Sequence, residues 1–190
     1  MSIIQLKAPL LDNNIAMLRA GDKVLISGVI YTARDAAHSR LAYLLELGQD
    51  LPIDLQGQII YYAGPTPAKP GRIIGSVGPT TSYRMDPYTP QLLKAGLKGV
   101  IGKGTRSQAV RTALQDCKSV YMAALGGAAA LISKCITKAK LVAYPDLGPE
   151  AIYRLEVNDL PVVVINDCYG SDLYEEGINK YNKLLQEKVK

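Results

Sequence analysis

Apolar and polar positions follow two different periods along the chain, and together they predict strands that alternate with helices. Nearly continuous apolar runs are typical of strands buried on both faces. In the first half of the chain such runs cover 3–6, 22–31, 58–63, 73–77 and 99–101. Between the second and third runs the period becomes helical, since these apolar or small residues share one face: Ala37, Leu41, Leu44, Leu45 and Gly48.

Polar residues at the edges of these patterns predict where the helices begin. Thr32 is the expected N-cap of the helix that carries Ala37 and Leu41. A short helix is expected near 13–19, and another from Asp86, as its cap, to Leu97.

The second half of the chain repeats the alternation of strands and helices. The predicted order is a helix at 107–117 capped near Ser107, a strand at 120–125, a helix at 128–136 and a strand at 139–143. Segments 152–157 and 160–165 are predicted to form a hairpin at Asn158 and Asp159. A last helix from about Ser171 is expected to turn four apolar side chains inward: Tyr174, Ile178, Tyr181 and Leu185.

This alternation predicts the fold class. Strands and helices that follow one another in this way predict an α/β layered fold. The loop-rich stretch at 64–71 is followed at once by another apolar run, so we interpret it as a surface excursion and expect residues 1–190 to form one domain.

Two polar segments follow predicted strands and carry the most distinctive chemistry of the chain. In each, an apolar run stops at a glycine and gives way to hydroxyls and cations, as in Gly78–Pro87 and Gly102–Thr105. Their candidate ligand-binding residues are Thr80, Thr81, Arg84 and Lys103. No acid lies between Gly78 and Arg84, so this set suits a small anion, and a carboxylate fits the guanidinium fork of arginine. The second segment lacks the spacing of a phosphate-binding P-loop.

Arg34 and His38 share a face near the start of a predicted helix. An arginine is poorly placed in a positive first turn, and a bound anion would compensate for this. The alternative is that Arg34 pairs with Asp35 or another acid on the surface. His38, the single histidine, suits acid–base chemistry near neutral pH, or else a structural hydrogen bond.

Composition excludes several broad classes. The chain has 22 Lys and Arg against 17 Asp and Glu, a net charge of +5, but its cations are scattered, so nucleic acid is not an expected partner. The longest apolar run, 120–132, is too short to cross a bilayer. No secretory leader opens the sequence, and we expect a soluble, cytoplasmic protein with no membrane partner.

Three cysteines, Cys117, Cys135 and Cys168, are too sparse for a disulfide framework and lack the C-x-x-C spacing of a zinc site. Cys117 and Cys135 fall on apolar faces of predicted helices, where free cysteine packs as a small hydrophobe. Because three cysteines can hold a four-iron cluster, an iron site in this chain stays open as an alternative.

Three motifs give the chain a family resemblance: YTARDAAH at 31–38, GPTTSYRMD at 78–86 and GKG at 102–104. With these motifs in this order, nearly the whole chain resembles the β subunit of the class I, iron-sulfur fumarate hydratase and L-tartrate dehydratase family. In fused members this part is the C-terminal domain. The resemblance implies a swivelling β/β/α domain that closes over the substrate. It also implies a [4Fe-4S] cluster on a partner α subunit and therefore a hetero-oligomer.

The resemblance also implies roles for individual residues. Arg34 and Arg84, with Thr81, would bind substrate carboxylates, while Thr80 would accept a proton and Lys103 would stabilise negative charge. His38 and Asp35 match the motif without an assigned step. The implied activity is a hydro-lyase that dehydrates a 2-hydroxy dicarboxylate such as (S)-malate to fumarate, active only with its partner. A tartrate dehydratase subunit and a non-catalytic anion-binding domain are the alternatives.

Overall fold

The computed structural model describes residues 3–125 and 127–188, and it has the predicted α/β class. The strands are β1 Ile4–Ala8, β2 Lys23–Thr32, β3 Ile59–Tyr61, β4 Gly99–Gly102, β5 Val120–Ala123, β6 Ile136–Ala143 and β7 Ile152–Asn166. The helices are α1 Asp12–Ala16, α2 Asp35–Glu46, α3 Thr89–Lys94, α4 Gln108–Asp116, α5 Ala129–Ile132 and α6 Leu173–Lys188. Short 3-10 turns cover Ser82–Met85, Ser133–Cys135 and Pro145–Glu150.

The strands form one sheet in the order β1-β2-β3-β4-β5-β7-β6, and the sheet closes because β7 also pairs with β2. Neighbours from β1 to β5 run parallel, whereas β7 runs antiparallel to β2, β5 and β6. The chain segments that follow β2, β3 and β4 therefore leave the sheet at the same edge, which is where open α/β sheets usually bind ligands.

Both faces of the central strands are buried, which explains their continuous apolar runs. Ile59 and Tyr61 of β3 point into the closed ring of strands, while Ile60 and Tyr62 point outward against the helices. β5 alternates in the same way, with Met122 inside the ring. Helices α2, α3 and α4 cover the outer face with buried side chains that include Leu41, Leu92, Leu93, Val110 and Leu114.

The predicted hairpin at 152–165 is wrong, because this segment is the single long strand β7. Asp159 has a positive φ of 52° and its N–H donates to Ser27 Oγ at 3.0 Å. The register between β2 and β7 shifts at this point, between Ile26 and Gly28. Asn158 and Asp159 thus make a bulge in a strand that continues along β2, and the turn-forming residues do not reverse the chain.

The apolar run at 73–77 is also not a strand. It belongs to a loop with internal hydrogen bonds. Gly75 N–H donates to Thr66 O at 3.2 Å, and Ser76 N–H donates to Thr66 Oγ1 at 2.8 Å. Val77 N–H then donates to Ala129 O at 3.3 Å. The backbone groups of this segment are satisfied locally, so the segment does not join the sheet.

Two of the three predicted caps are wrong. Thr32 stays in β2, where its hydroxyl accepts from Tyr153 N–H at 3.2 Å, and Arg34 occupies the N-cap of α2. Helix α3 begins only at Thr89, because Asp86 bonds instead to the side chain of Arg106 and to Ser107 N–H. The cap at Ser107 is confirmed, since its Oγ accepts from Val110 N–H.

The inward face predicted for the last helix is correct only at its start. Tyr174 is half-buried, but Ile178, Tyr181 and Leu185 are each more than half exposed. The helix leaves the body of the domain after its first turns, so periodicity indicated a helix without indicating what covers it. No helix in the described part of the chain has both the length and the apolar character needed to span a bilayer.

Candidate anion-binding site

Two predicted motifs lie side by side at the edge where the parallel strands end. The loop that contains Thr80 and Thr81 is inserted between the segments that follow β3 and β4. Thr80 N–H donates to Tyr62 O at 2.6 Å, Lys103 N–H donates to Thr80 O at 3.3 Å, and Ser82 N–H donates to Lys103 O at 2.9 Å. Backbone hydrogen bonds therefore bring Thr80, Thr81 and Lys103 together.

Arg34 and Arg84 form the second part of this edge. Arg84 Nε lies 2.8 Å from Asp35 Oδ1, and Arg34 Nη2 lies 3.9 Å from Asp35 Oδ2. Two guanidiniums from distant parts of the sequence are thus within reach of one carboxylate. The 3-10 turn that carries Arg84 follows directly after Thr81 and connects the two parts of the edge.

The closest carboxylate to Arg34 is that of Glu150, with Nη2 to Oε1 at 3.2 Å. Glu150 Oε2 also accepts from Ala36 N–H at 3.1 Å and so caps the first turn of α2. Arg34 therefore pairs with Asp35 and Glu150, which agrees with the interpretation that this arginine is neutralised by neighbouring acids. Sequence reasoning missed Glu150 because it lies far along the chain and no local pattern connects it to α2.

The charges of this edge do not cancel completely. Arg34 and Arg84 are offset by Asp35 and Glu150, whereas no carboxylate of the described residues lies within 4 Å of the Lys103 ammonium. Arg34 Nε and Asp35 Oδ2 are buried without a hydrogen-bond partner among the described atoms. Buried polar groups are rarely left without a partner, and of these two atoms only the Arg34 Nε donor suits an anionic ligand.

Gly64, three residues after the end of β3, makes room for the Arg34 side chain. A Cβ at position 64 would lie 3.0 Å from Arg34 Nη1, 3.2 Å from Arg34 Cδ and 3.0 Å from Pro149 O. A side chain at this position would push the guanidinium away from the edge.

His38 is fully buried and hydrogen-bonded. Its Nδ1 lies 2.9 Å from Arg34 O, so Nδ1 carries the proton and donates it, and its ring meets Tyr62 edge to face at 5.1 Å. Burial lowers the pKa of His38 from 6.5 to about 4, and the ring is neutral at pH 7. These contacts match the structural interpretation of His38, with Nε2 left without a partner among the described atoms.

The three cysteines lie on separate elements. Cys117 ends α4, Cys135 lies in the 3-10 turn before β6, and Cys168 follows β7. Each is half-buried, and burial raises the pKa of each thiol. Within 3–125 and 127–188, no group of three His, Cys, Asp or Glu side chains could hold a metal ion. Among the described residues the three thiols therefore do not lie together as one ligand set.

A closed mixed sheet with a cationic, hydroxyl-rich edge places the protein among α/β domains that present ligand-binding groups at the ends of parallel strands. The chain belongs to the family described as Fumarase C-terminus, whose sequence model matches residues 1–177.

Individual relatives agree with this family assignment. The chain is 40% identical over 179 residues to a protein of Geobacillus stearothermophilus provisionally named fumarate hydratase class I, covering 92% of this chain and 34% of the relative. It is 38% identical over 160 residues to the anaerobic class I fumarate hydratase of Escherichia coli K12, covering 83% of this chain and 29% of that relative. It is 39% identical over 186 residues to a Methanocaldococcus jannaschii protein provisionally named L(+)-tartrate dehydratase subunit beta, covering 95% of both chains. The chain thus spans about a third of the fumarate hydratases but nearly all of the beta subunit.

Proposed function

We propose that this chain is the β-type part of a hydro-lyase that reversibly dehydrates a 2-hydroxy dicarboxylate, with (S)-malate and fumarate as the substrate pair. Membership of the Fumarase C-terminus family and the names of the relatives support this class of reaction. The observation that carries the proposal is the approach of Arg34 and Arg84 to the single carboxylate of Asp35, because a substrate carboxylate has the same shape and charge.

The chemistry of dehydration explains why cations are needed here. The C–H bond that breaks lies beside a carboxylate and is weakly acidic, so negative charge grows on that carboxylate as the proton leaves. Fixed cations directed at this charge lower the barrier without reorganising during the reaction. We assign Arg34, Arg84 and Thr81 to the binding of substrate carboxylates, and Lys103 to the carboxylate on which charge develops.

Thr80 is the proposed proton acceptor at its Oγ1. A threonine hydroxyl can take a proton only after it has passed its own to solvent water, and a neighbouring cation favours the resulting ionised form. Lys103, whose backbone N–H donates to Thr80 O, is the proposed source of this cation. Glu150 pairs with Arg34 and Asp35 pairs with Arg84, so an entering dicarboxylate has to share these guanidiniums with the two acids or displace them.

The [4Fe-4S] cluster implied by the family resemblance is proposed to reside on a partner α subunit, within a cytoplasmic hetero-oligomer. The separate positions of the cysteines support this location. Tyr83 lies within the motif loop and Leu125 lies beyond the end of β5. Both are well over half exposed, and they offer apolar surface for such a partner. In this proposal residues 1–190 form one domain of the swivelling β/β/α type that moves over the substrate.

L(+)-tartrate is the second candidate substrate. The Methanocaldococcus jannaschii protein, whose provisional name specifies L(+)-tartrate, matches this chain over 95% of both sequences. The same cations would hold a dicarboxylate with a second hydroxyl.

The test is to produce the chain with a cluster-bearing α subunit of the family, reconstitute the complex anaerobically, and assay malate and tartrate. Arg34→Lys should lower kcat/KM by about 10² to 10³, because a preorganised bidentate donor is lost. Arg40→Lys is the matched control, since Arg40 lies on the same helix but pairs with Asp146. A strong preference for tartrate selects the second candidate. Full activity of Arg34→Lys, or no hydro-lyase activity with either substrate, contradicts the proposal and favours a non-catalytic anion-binding domain.

A further inference from the structure

The two segments that form the candidate site rest on a buried polar network. Its centre is Arg106, whose side chain is completely covered. Arg106 donates from Nε to Asp86 Oδ1 at 2.7 Å and from Nη2 to Thr89 Oγ1 at 2.8 Å. Its guanidinium lies 5.3 Å from the ring centroid of Tyr62 and 5.0 Å from that of Tyr121.

Asp86 connects this arginine to the next helix. Its second oxygen, Oδ2, accepts from Ser107 N–H at 2.6 Å, just before α4 begins. Asp86 lies shortly after Arg84 in one motif segment, and Arg106 lies shortly after Lys103 in the other. The ion pair therefore joins the two segments on the side away from solvent.

Tyr121 joins the same two segments with one hydroxyl. Its Oη donates to Gly104 O at 2.7 Å and lies 3.0 Å from Ser82 Oγ. Because a tyrosine hydroxyl has one proton, and this proton goes to a carbonyl, Ser82 must be the donor to Tyr121. Burial raises the pKa of Tyr121, so the hydroxyl keeps its proton and stays a donor. Ser82 follows Thr81, and Gly104 follows Lys103.

The contact between these segments is close. A Cβ at Gly102 would lie only 2.0 Å from Ser82 Oγ and 2.9 Å from Tyr62 Cδ2. Buried ion pairs often add little to stability compared with apolar packing, whereas fully satisfied polar networks specify one arrangement. The main effect of the network is thus to fix the position of Thr81 relative to Lys103, and its contribution to the stability of the core is smaller.

We propose that Tyr121, supported by Arg106 and Asp86, is a positioning residue. It holds the segment from Thr80 to Arg84 at a set distance from Lys103. It touches no substrate and acts through Ser82 and Gly104. The inference rests on the proposed function, in which those flanking residues bind and activate a dicarboxylate. Small displacements of such groups have large effects on rate.

The test compares Tyr121→Phe and Ser82→Ala with the unchanged chain, in the reconstituted complex and in the chain alone. Tyr169→Phe is the matched control, because it also removes a hydroxyl that donates to a backbone carbonyl, that of Ala16 at 2.9 Å, away from the motif segments. In the complex, kcat and KM are measured for malate. In the chain alone, amide hydrogen exchange is followed in 80–85 and 102–105.

We expect Tyr121→Phe to lower kcat/KM by about 10- to 100-fold with a raised KM, in a complex that is still fully folded at the assay temperature. Amides of both segments should exchange about tenfold faster, because the hydrogen bonds of Tyr121 Oη to Ser82 and to Gly104, which link the two segments, are both lost. Ser82→Ala should cause a smaller change in the same segments, and Tyr169→Phe should change neither quantity.

Unchanged exchange in both segments overturns the inference, whatever the activity. Faster exchange along the whole chain with an unchanged KM also overturns it, because that result indicates a general loss of stability. If the unchanged complex has no hydro-lyase activity, the proposed function fails, and the exchange data alone decide whether Tyr121 holds the two segments together.

Discussion

Gly64 is the residue whose replacement tests the position of Arg34 most directly. Gly64→Ala places a Cβ against Arg34 Nη1 and Pro149 O, so the guanidinium has to move. We expect KM for the dicarboxylate to rise about tenfold, the effect of losing roughly 1.4 kcal/mol of binding. Steady-state kinetics of the reconstituted complex measure this change.

Gly177→Ala is the control for this substitution, because a Cβ at position 177 meets nothing within 4 Å and lies in α6. An unaltered KM in Gly64→Ala would show that the position of Arg34 is not important for binding.

His38 should make the protein less stable in mild acid. Its pKa is about 4 when folded and 6.5 in the reference state, so the unfolded chain takes up the proton first as pH falls. The stability that comes from keeping His38 neutral is fully present above pH 6.5, and it is lost as the pH falls from 6.5 towards 4. Between pH 7 and pH 5 the free energy of unfolding should decrease by about 2 kcal/mol from this residue alone.

Urea unfolding of the unchanged chain and of His38→Asn at pH 7 and pH 5 checks this contribution. Asparagine keeps a donor for Arg34 O but does not titrate, so the decrease between the two pH values should be smaller by that amount. Equal decreases in both proteins would mean that His38 is protonated without cost when folded.

At the scale of the elements, the sequence predicted most strands and helices but often not how they end. Ser107 was identified as a cap because its hydroxyl bonds within its own helix, which a local pattern can predict. Thr32 and Asp86 fit the same pattern, but their side chains bond to distant segments. The bulge at Asp159 depends on Ser27 of β2 and has no local signal that distinguishes it from a turn.

The segments around α4 provide a test of ion pairs with different burial. Asp86→Ala should lower the free energy of unfolding by about 3 kcal/mol, because Arg106 would stay buried without a counter-charge. Glu175→Ala removes a partner of Arg111 that is 59% exposed, while Asp172 remains, and should cost less than about 1 kcal/mol. Chemical denaturation of both variants measures the difference, and similar losses would mean that burial does not control the strength of these pairs.

At the scale of the whole molecule, the α/β class followed from the alternation of apolar periods, whereas the closure of the sheet did not. Closure requires β7 to pair with β2, and pairing between strands so far apart leaves no trace in a single sequence. The same limit applies to the candidate site. The ends of β2 and β4 indicated Arg34 and Lys103, whereas Thr80 follows an apolar run that is not a strand. Glu150 reaches α2 only because the closed sheet brings it there.

The pairing of β2 with β7 also has a consequence for biosynthesis. Val24 pairs in register with Val162, so β2 can form this pairing only after β7, far along the chain, has left the ribosome. Such non-local pairing slows folding, and until then one edge of β2 remains exposed to other strands. While this edge is unpaired, a nascent copy is open to misassembly with other strands, and chaperone binding would protect it.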